Sequence, residues 1–194
     1  MIAPAFVRSA IQGKVDFLLL SGLTQLTQAS RPTEGAEEQA VFQTALDFTL
    51  EHEGTLADDE DDPGGRTMKG VTQKVYTQWR VDQGLKARDV ADISDRELTQ
   101  IYFTRYWREA QCYQYLPVLA ITCFDTVVNF GVSGGMSFFY DLPDDSIRAA
   151  LLVVERRMAY RYERVAENGT QVKFKDGWLD RDASLKALIE TFKP

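Results

Sequence analysis

One glutamate stands where chemistry could use it. Phe42, Leu46, Thr49 and Glu53 recur at three- to four-residue spacing, so Glu53 falls on the apolar stripe of a helix, at its C-terminal end. Burial disfavours the charged form of a carboxyl, and the negative end of the helix dipole pushes the same way. Both predict a glutamate that holds its proton. Nine residues on, Asp62 closes the acidic cluster Asp58-Asp59-Glu60-Asp61-Asp62, and the turn residues Pro63-Gly64-Gly65 follow it. Such a turn would fold the acidic arm back toward the helix end. A protonated carboxyl opposite an ionised one is the pair that glycosidic-bond hydrolysis uses. An acidic run by itself reads as a frayed helix end and a solvated loop; the chemistry depends on the helix end and the turn together.

The elements that must position these residues are helical. The chain has 194 residues and is 44% apolar, enough for one domain with a real core. A first helix is expected from about Glu38 to His52. Thr72 caps a second, which runs to about Gln83 with Gly84 as its stop. Ser94-Asp95-Arg96-Glu97 is a capping box and opens a third, to about Glu109. Leu116 to Phe130 is apolar nearly all round, the mark of a buried central helix. A long helix begins at Asp144 or Ser146 and ends at Asn168-Gly169, and a final one spans about Asp182 to Phe192. A short β-hairpin between Asp58 and Val71 is the only strand signal. The expected fold class is therefore all-α.

Polar residues on these helices have two readings each. Asp125 and Asn129 are four apart and share one face of the central helix; they form either a buried hydrogen-bonded network or the wall of a cleft. Tyr102, Tyr106 and Trp107 serve the core, unless one turns to a groove where a ring could meet the apolar face of a sugar. Arg156, Arg157, Arg161 and Arg164 form a basic stripe, read as a solvated face pairing with Glu155 and Glu163. Competing motifs fail on spacing. His52-Glu53 lacks the second histidine of a zinc-binding H-E-x-x-H, because position 56 is leucine. Pro63 and Lys69 stand where a calcium loop starting at Asp58 needs glycine and glutamate. Gly131-Val132-Ser133-Gly134-Gly135 matches G-x-S-x-G, but a helix precedes it where that elbow needs a strand. Cys112 and Cys123 make no disulfide framework.

The order of motifs resembles glycoside hydrolase family 108, the bacterial and phage N-acetylmuramidases. Glu53-Gly54 opens the resemblance, and Asp62-Pro63-Gly64-Gly65, Thr67, Gly70-Val71 and Thr72 continue it without a gap. Tyr102 and Tyr106-Trp107 follow, then Phe124-Asp125-Thr126-Val127-Val128-Asn129-Phe130-Gly131, and last Gly177-Trp178-Leu179-Asp180-Arg181. Thr55 and Leu56 replace a glycine and a tyrosine of the family pattern, and the stretch from Val132 to Ile147 is shorter than the family's peptidoglycan-binding segment. The resemblance implies a lysozyme-like fold and hydrolysis of the β-1,4 bond between N-acetylmuramic acid and N-acetylglucosamine. Glu53 would be the general acid, Asp62 the second carboxylate and Thr67 the holder of the water. Asp58, Asp59 and Asp61 stay open as rivals of Asp62. Asp125, Asn129, Tyr102 and Trp107 would line the substrate cleft. No metal or cofactor is required.

Charge and the chain start bound the rest. Seven acids between Glu51 and Asp62 meet no lysine or arginine, and the remaining 22 acids match the 22 bases, so this stretch carries the net charge of −7. That balance argues against a nucleic-acid binder. Residues 1–37 are expected to be an N-terminal docking helix and linker, with residues 1–30 a possible contact for a protein partner, and residues 38–194 the single catalytic domain. Asp16 interrupts the apolar stretch near the start and no clean cleavage site follows, so synthesis in the cytoplasm without a signal peptide is expected, with delivery to the wall afterwards. No stretch is long enough to span a membrane. The competing function class is a catalytically weak wall-binding or phage-tail assembly module.

Overall fold

Ten successive residues of the central helix, Val118 to Val127, are buried, and the core of the described residues is built on them. The structure is a computed structural model and describes residues 34–54, 56–57 and 66–193. Helix α1 (Glu34–Glu51) begins one turn before the expected Glu38. Then come strands β1 (Leu56–Ala57), β2 (Thr67–Met68) and β3 (Val71–Thr72), and helices α2 (Gln73–Asp82), α3 (Asp95–Tyr102), α4 (Pro117–Phe130), α5 (Val132–Met136), α6 (Ser146–Glu167) and α7 (Val172–Glu190). The fold is α-rich and lysozyme-like. The expected N-terminal docking helix and linker through residue 33, and the acidic residues 58–62, lie outside the described residues.

Local chemistry explains the boundaries. Thr72 accepts from the Val75 amide and caps α2. Ser94 and Glu97 bond reciprocally and cap α3, which continues into a wider π-type turn, Phe103–Arg108. Leu116 precedes Pro117 at the first turn of α4, where a missing amide hydrogen is harmless. Asp145 caps α6. Helix α7 starts ten residues before the expected Asp182 and carries Gly177 in its interior; its apolar anchors Leu185 and Ile189 hold the C-terminal half, and the N-terminal half extends as an exposed amphipathic turn. Helix α5 was not expected. It exists because Gly131 turns at φ +73° and Gly135 meets α4 so closely that a Cβ would fall 2.8 Å from the Val127 Cα.

Helix α4 touches α1, α5 and α6, and α6 in turn packs on α7. Phe42 of α1 sets its ring edge-on against Phe103, Trp107 and Phe124, at 4.9, 5.5 and 5.6 Å between centroids. Removing a ring such as Phe124 would cost about 3–5 kcal/mol. The strands form one antiparallel sheet in chain order. Ala57 pairs with Thr67 and Met68 with Val71, which brings the chain back to the end of α1.

Candidate functional site

Glu53 sits two residues past the end of α1, half-buried, and its amide still donates to the Leu50 carbonyl. One carboxylate oxygen, Oε1, accepts from the Arg181 guanidinium at 2.8 Å. The other faces Gly70. A Cβ at Gly70 would lie 2.9 Å from Glu53 Oε2 and 2.4 Å from the Tyr102 hydroxyl, and the backbone there has φ +78°. Both the left-handed conformation and the close approach require glycine. Tyr102 donates to the Lys69 carbonyl at 2.8 Å and thereby fixes the turn that carries Gly70. Burial, and the Glu53 charge beside it, push the Tyr102 hydroxyl far above the ordinary tyrosine range, so it remains a neutral donor.

Arg181 links Glu53 to a buried ionic core. Its Nη2 reaches Asp125 Oδ1 at 2.8 Å, and Arg157 reaches Asp125 Oδ2 at 2.8 Å. Arg157 also pairs with Asp182 at 2.6 Å, and Asp182 accepts from Arg161 at 2.7 Å. Arg161 then donates to Asn129 Oδ1 at 2.9 Å. Three carboxylates, Glu53, Asp125 and Asp182, thus meet three guanidiniums, Arg157, Arg161 and Arg181. Burial opposes the charge on Asp125, but Arg157 and Arg181 outweigh it and hold its carboxyl below the usual range. Burial likewise opposes the charge of Arg181, while Asp125 and Glu53 more than offset it.

The structure corrects several sequence-based expectations. Asp125 is wholly buried and belongs to the ionic core, so of the two readings for its helix face the buried network holds for it. Trp107 and Tyr102 are also buried; Trp107 donates to Glu38 at 2.8 Å and backs the aromatic core, so neither ring offers a face to a sugar. Arg157 and Arg161 are not on a solvated face. They continue the stripe of Ala149, Ala150, Val153 and Val154 into the interior, where the acids of α4 and α7 neutralise them. Arg164 alone keeps the expected surface character, pairing with Glu167. Asn129 is half-buried and opens on a groove. Thr67 lies in β2, half-buried. Asp62 and its rivals Asp58, Asp59 and Asp61 lie outside the described residues. Ser133 is exposed in α5 after a helix, which leaves no nucleophile elbow.

Two open grooves meet at the Glu53–Arg181 pair. One, of about 400 Å³, is lined by Asp47, Leu50, Glu51, Glu53, Gly54 and Lys69. The other, of about 370 Å³, has His52, Asn129, Lys173, Phe174, Trp178 and Arg181 in its wall. Sequence reasoning found Glu53, Gly70 and Asn129 but gave no role to Arg181 beyond its place in a C-terminal motif. The available signal was the pair Arg181-Asp182 itself, two opposite charges just ahead of the apolar residues Leu185 and Ile189.

No curated protein matches the chain. Among solved structures, the chain in "Structure of Brucella abortus SagA" is similar, with 19% identity and a TM-score of 0.63 over 79% of this chain and 96% of that one; at that identity the likeness concerns the fold. Residues 46–131 match the sequence profile of the family Glycosyl hydrolase 108. The match starts on α1 at Leu46, includes Glu53 and Gly70, and stops at Gly131, short of the last motif of the sequence resemblance at residues 177–181. Over that stretch, less than half of the chain, the protein is similar to glycosyl hydrolase family 108.

Proposed function

We propose that the protein is an N-acetylmuramidase, cleaving the β-1,4 bond between N-acetylmuramic acid and N-acetylglucosamine. The observation that carries this reading is the placement of Glu53, at the mouth of an open groove with one oxygen tied to Arg181 and the other against a glycine. Arg181 fixes the orientation of the carboxyl and leaves Oε2 for proton transfer. In its protonated form Glu53 gives that proton to the glycosidic oxygen as the C–O bond breaks. Asp62 stabilises the oxocarbenium-like sugar or activates the water that completes hydrolysis, and Thr67 helps to hold that water. Preorganisation of this kind confines the reacting groups before substrate arrives.

Digestion of purified peptidoglycan, with the new reducing ends identified, tests the reading. Muramic acid at the reducing ends supports it. Glucosamine ends, or anhydro-muramyl ends left by a transglycosylase, contradict it. A wall-binding or tail-assembly module is the second reading, favoured by the family match ending at Gly131; wall pull-down without any new ends would select it. Residues 1–30 would then be the docking segment toward a protein partner.

A further inference from the structure

Cys112 and Cys123 are the two cysteines of the chain, and the fold brings them together. Cys123 lies in α4, and Cys112 in a single 3₁₀ turn, Cys112–Gln114, that follows the π-type turn after α3. Both are wholly buried thiols. Their Sγ atoms stand 3.2 Å apart, and Cys123 Sγ lies 3.8 Å from Met136 Sδ of α5. A disulfide needs about 2.05 Å between its sulfurs, so the pair has to close by roughly 1 Å. The hydrogen bond from Cys112, and burial, push the Cys123 thiol far above the ordinary cysteine range. It is therefore protonated and inert while the core is closed. Apolar packing alone does not call for sulfur here. A buried cysteine packs as a small apolar residue, and its reactivity is what sets it apart.

The two thiols differ in access. The turn of Cys112 is entered through Gln111, whose backbone is left-handed at φ +54°, a conformation that residues with a side chain rarely adopt. Tyr113 and Leu116, on the other side of Cys112, are exposed. Tyr115, half-buried, lines an open groove of about 200 Å³ with Trp107, Tyr113 and Pro117. Opening residues 111–116 would expose Cys112 while α4 stays folded.

We propose that Cys112 and Cys123 are a disulfide site, reduced where the chain is made and closed by an external disulfide in an oxidising compartment. In the opened segment the Cys112 thiolate attacks one sulfur of R–S–S–R; Cys112–S–S–R forms and one RSH leaves. Cys123 then gives up its proton and attacks the Cys112 sulfur, which closes the protein bond and releases the second RSH. The protein loses two protons and two electrons, and the external disulfide takes them up. The bond spans 11 positions of the chain and restricts the unfolded ensemble. It also ties the segment that follows Tyr106 and Trp107 to the central helix. Disulfides persist outside the reducing interior of the cell, so a chain that works at the wall would be stabilised on arrival. None of this depends on which bond of the wall is cut.

The full chain, reduced and then held in native buffer with glutathione disulfide, tests this. Its mass should fall by two hydrogens with no glutathione retained. Peptide mapping without reductant should join Cys112 to Cys123. The thermal midpoint should rise by roughly 5–10 °C over the reduced form, and the double variant Cys112→Ala with Cys123→Ala should show no such rise. Cys123→Ala alone should hold glutathione on Cys112, the intermediate caught before closure. Cys112→Ala should react at Cys123 more slowly, by about tenfold or more. The wild-type readings stand whether or not the variants fold. A wild-type chain that keeps two thiols, retains glutathione, or closes the bond without a rise in midpoint overturns the inference. Faster reaction at Cys123 than at Cys112 overturns it as well.

Discussion

Glu97 gathers its arginines from nearby in the chain, Arg80 and Arg88, together with the Tyr76 hydroxyl at 2.9 Å. Glu53 is held by an arginine 128 residues away. The Glu97 cluster sits at the molecular surface and is nucleated by a capping box that any short peptide could form. The Glu53 cluster continues inward through Asp125, Arg157, Asp182 and Arg161, and it exists only once α1, α4, α6 and α7 have packed. The first staples two short helices. The second spans the whole helical core and ends on the carboxyl proposed to act. Buried ion pairs give little net stability compared with apolar packing, but each member is costly to remove alone. In the second cluster the rigidity serves the direction in which Glu53 points.

That contrast can be broken at its strongest point. Arg157→Met would leave Asp125 and Asp182 short of charge in the interior, and should lower stability by about 3–5 kcal/mol, read by urea unfolding. Gly70→Ala should be next. The added methyl meets Glu53 and Tyr102 in a left-handed turn, costing about 1–3 kcal/mol and displacing the proposed acid, so wall clearing should fall more than stability alone explains. Glu97→Ala removes a cap and a half-buried hub, for about 1–2 kcal/mol with clearing rate per folded molecule unchanged. Arg164→Ala, on the same helix as Arg157 but with its side chain 45% exposed, should stay within about 0.5 kcal/mol.

Acid sharpens the same comparison. Asp125 and Glu97 both have carboxyls held below their ordinary values in the fold. For Glu97, burial works against the charge, while Ser94, Tyr76 and Arg88 favour it more. A depressed folded value means stability that is complete above the unfolded value and lost as pH falls through the folded one. The unfolded values are about 3.9 for aspartate and 4.3 for glutamate. Stability should therefore hold from neutrality to about pH 4 and drop below it. Asp125→Asn should start less stable and lose less on acidification. An equal acid-side slope in variant and wild type would show that Asp125 is not ionised in the folded core.

Much of this was legible in sequence where the signal is local. Ser94 and Glu97 announced their capping box, Thr72 its helix start, and the apolar run around Phe124 its burial. Glu53 at the end of a stripe was legible for the same reason. The ionic core was not, because its partners lie 21 to 128 residues apart. A signal did exist. Asp125 and Asn129 are spaced i, i+4 on one apolar helix and Arg157 and Arg161 i, i+4 on another, so the two ladders match rung for rung. Reading the arginines as solvated missed that they sit on the apolar stripe of α6. Asp125 and Trp107 were given a cleft as an alternative because residue type cannot tell a buried polar network from an open one; only packing against α6 and α7 decides it.

The most direct test of the central claim is wall clearing by Glu53→Gln beside wild type, with folding checked by thermal unfolding. Glutamine keeps the shape of the side chain and removes the proton donor. The account predicts a folded variant whose clearing rate is lower on the order of a hundredfold or more, while wild type releases muramic-acid reducing ends. A folded Glu53→Gln that clears the wall as fast as wild type would contradict it and move the chemistry to another residue.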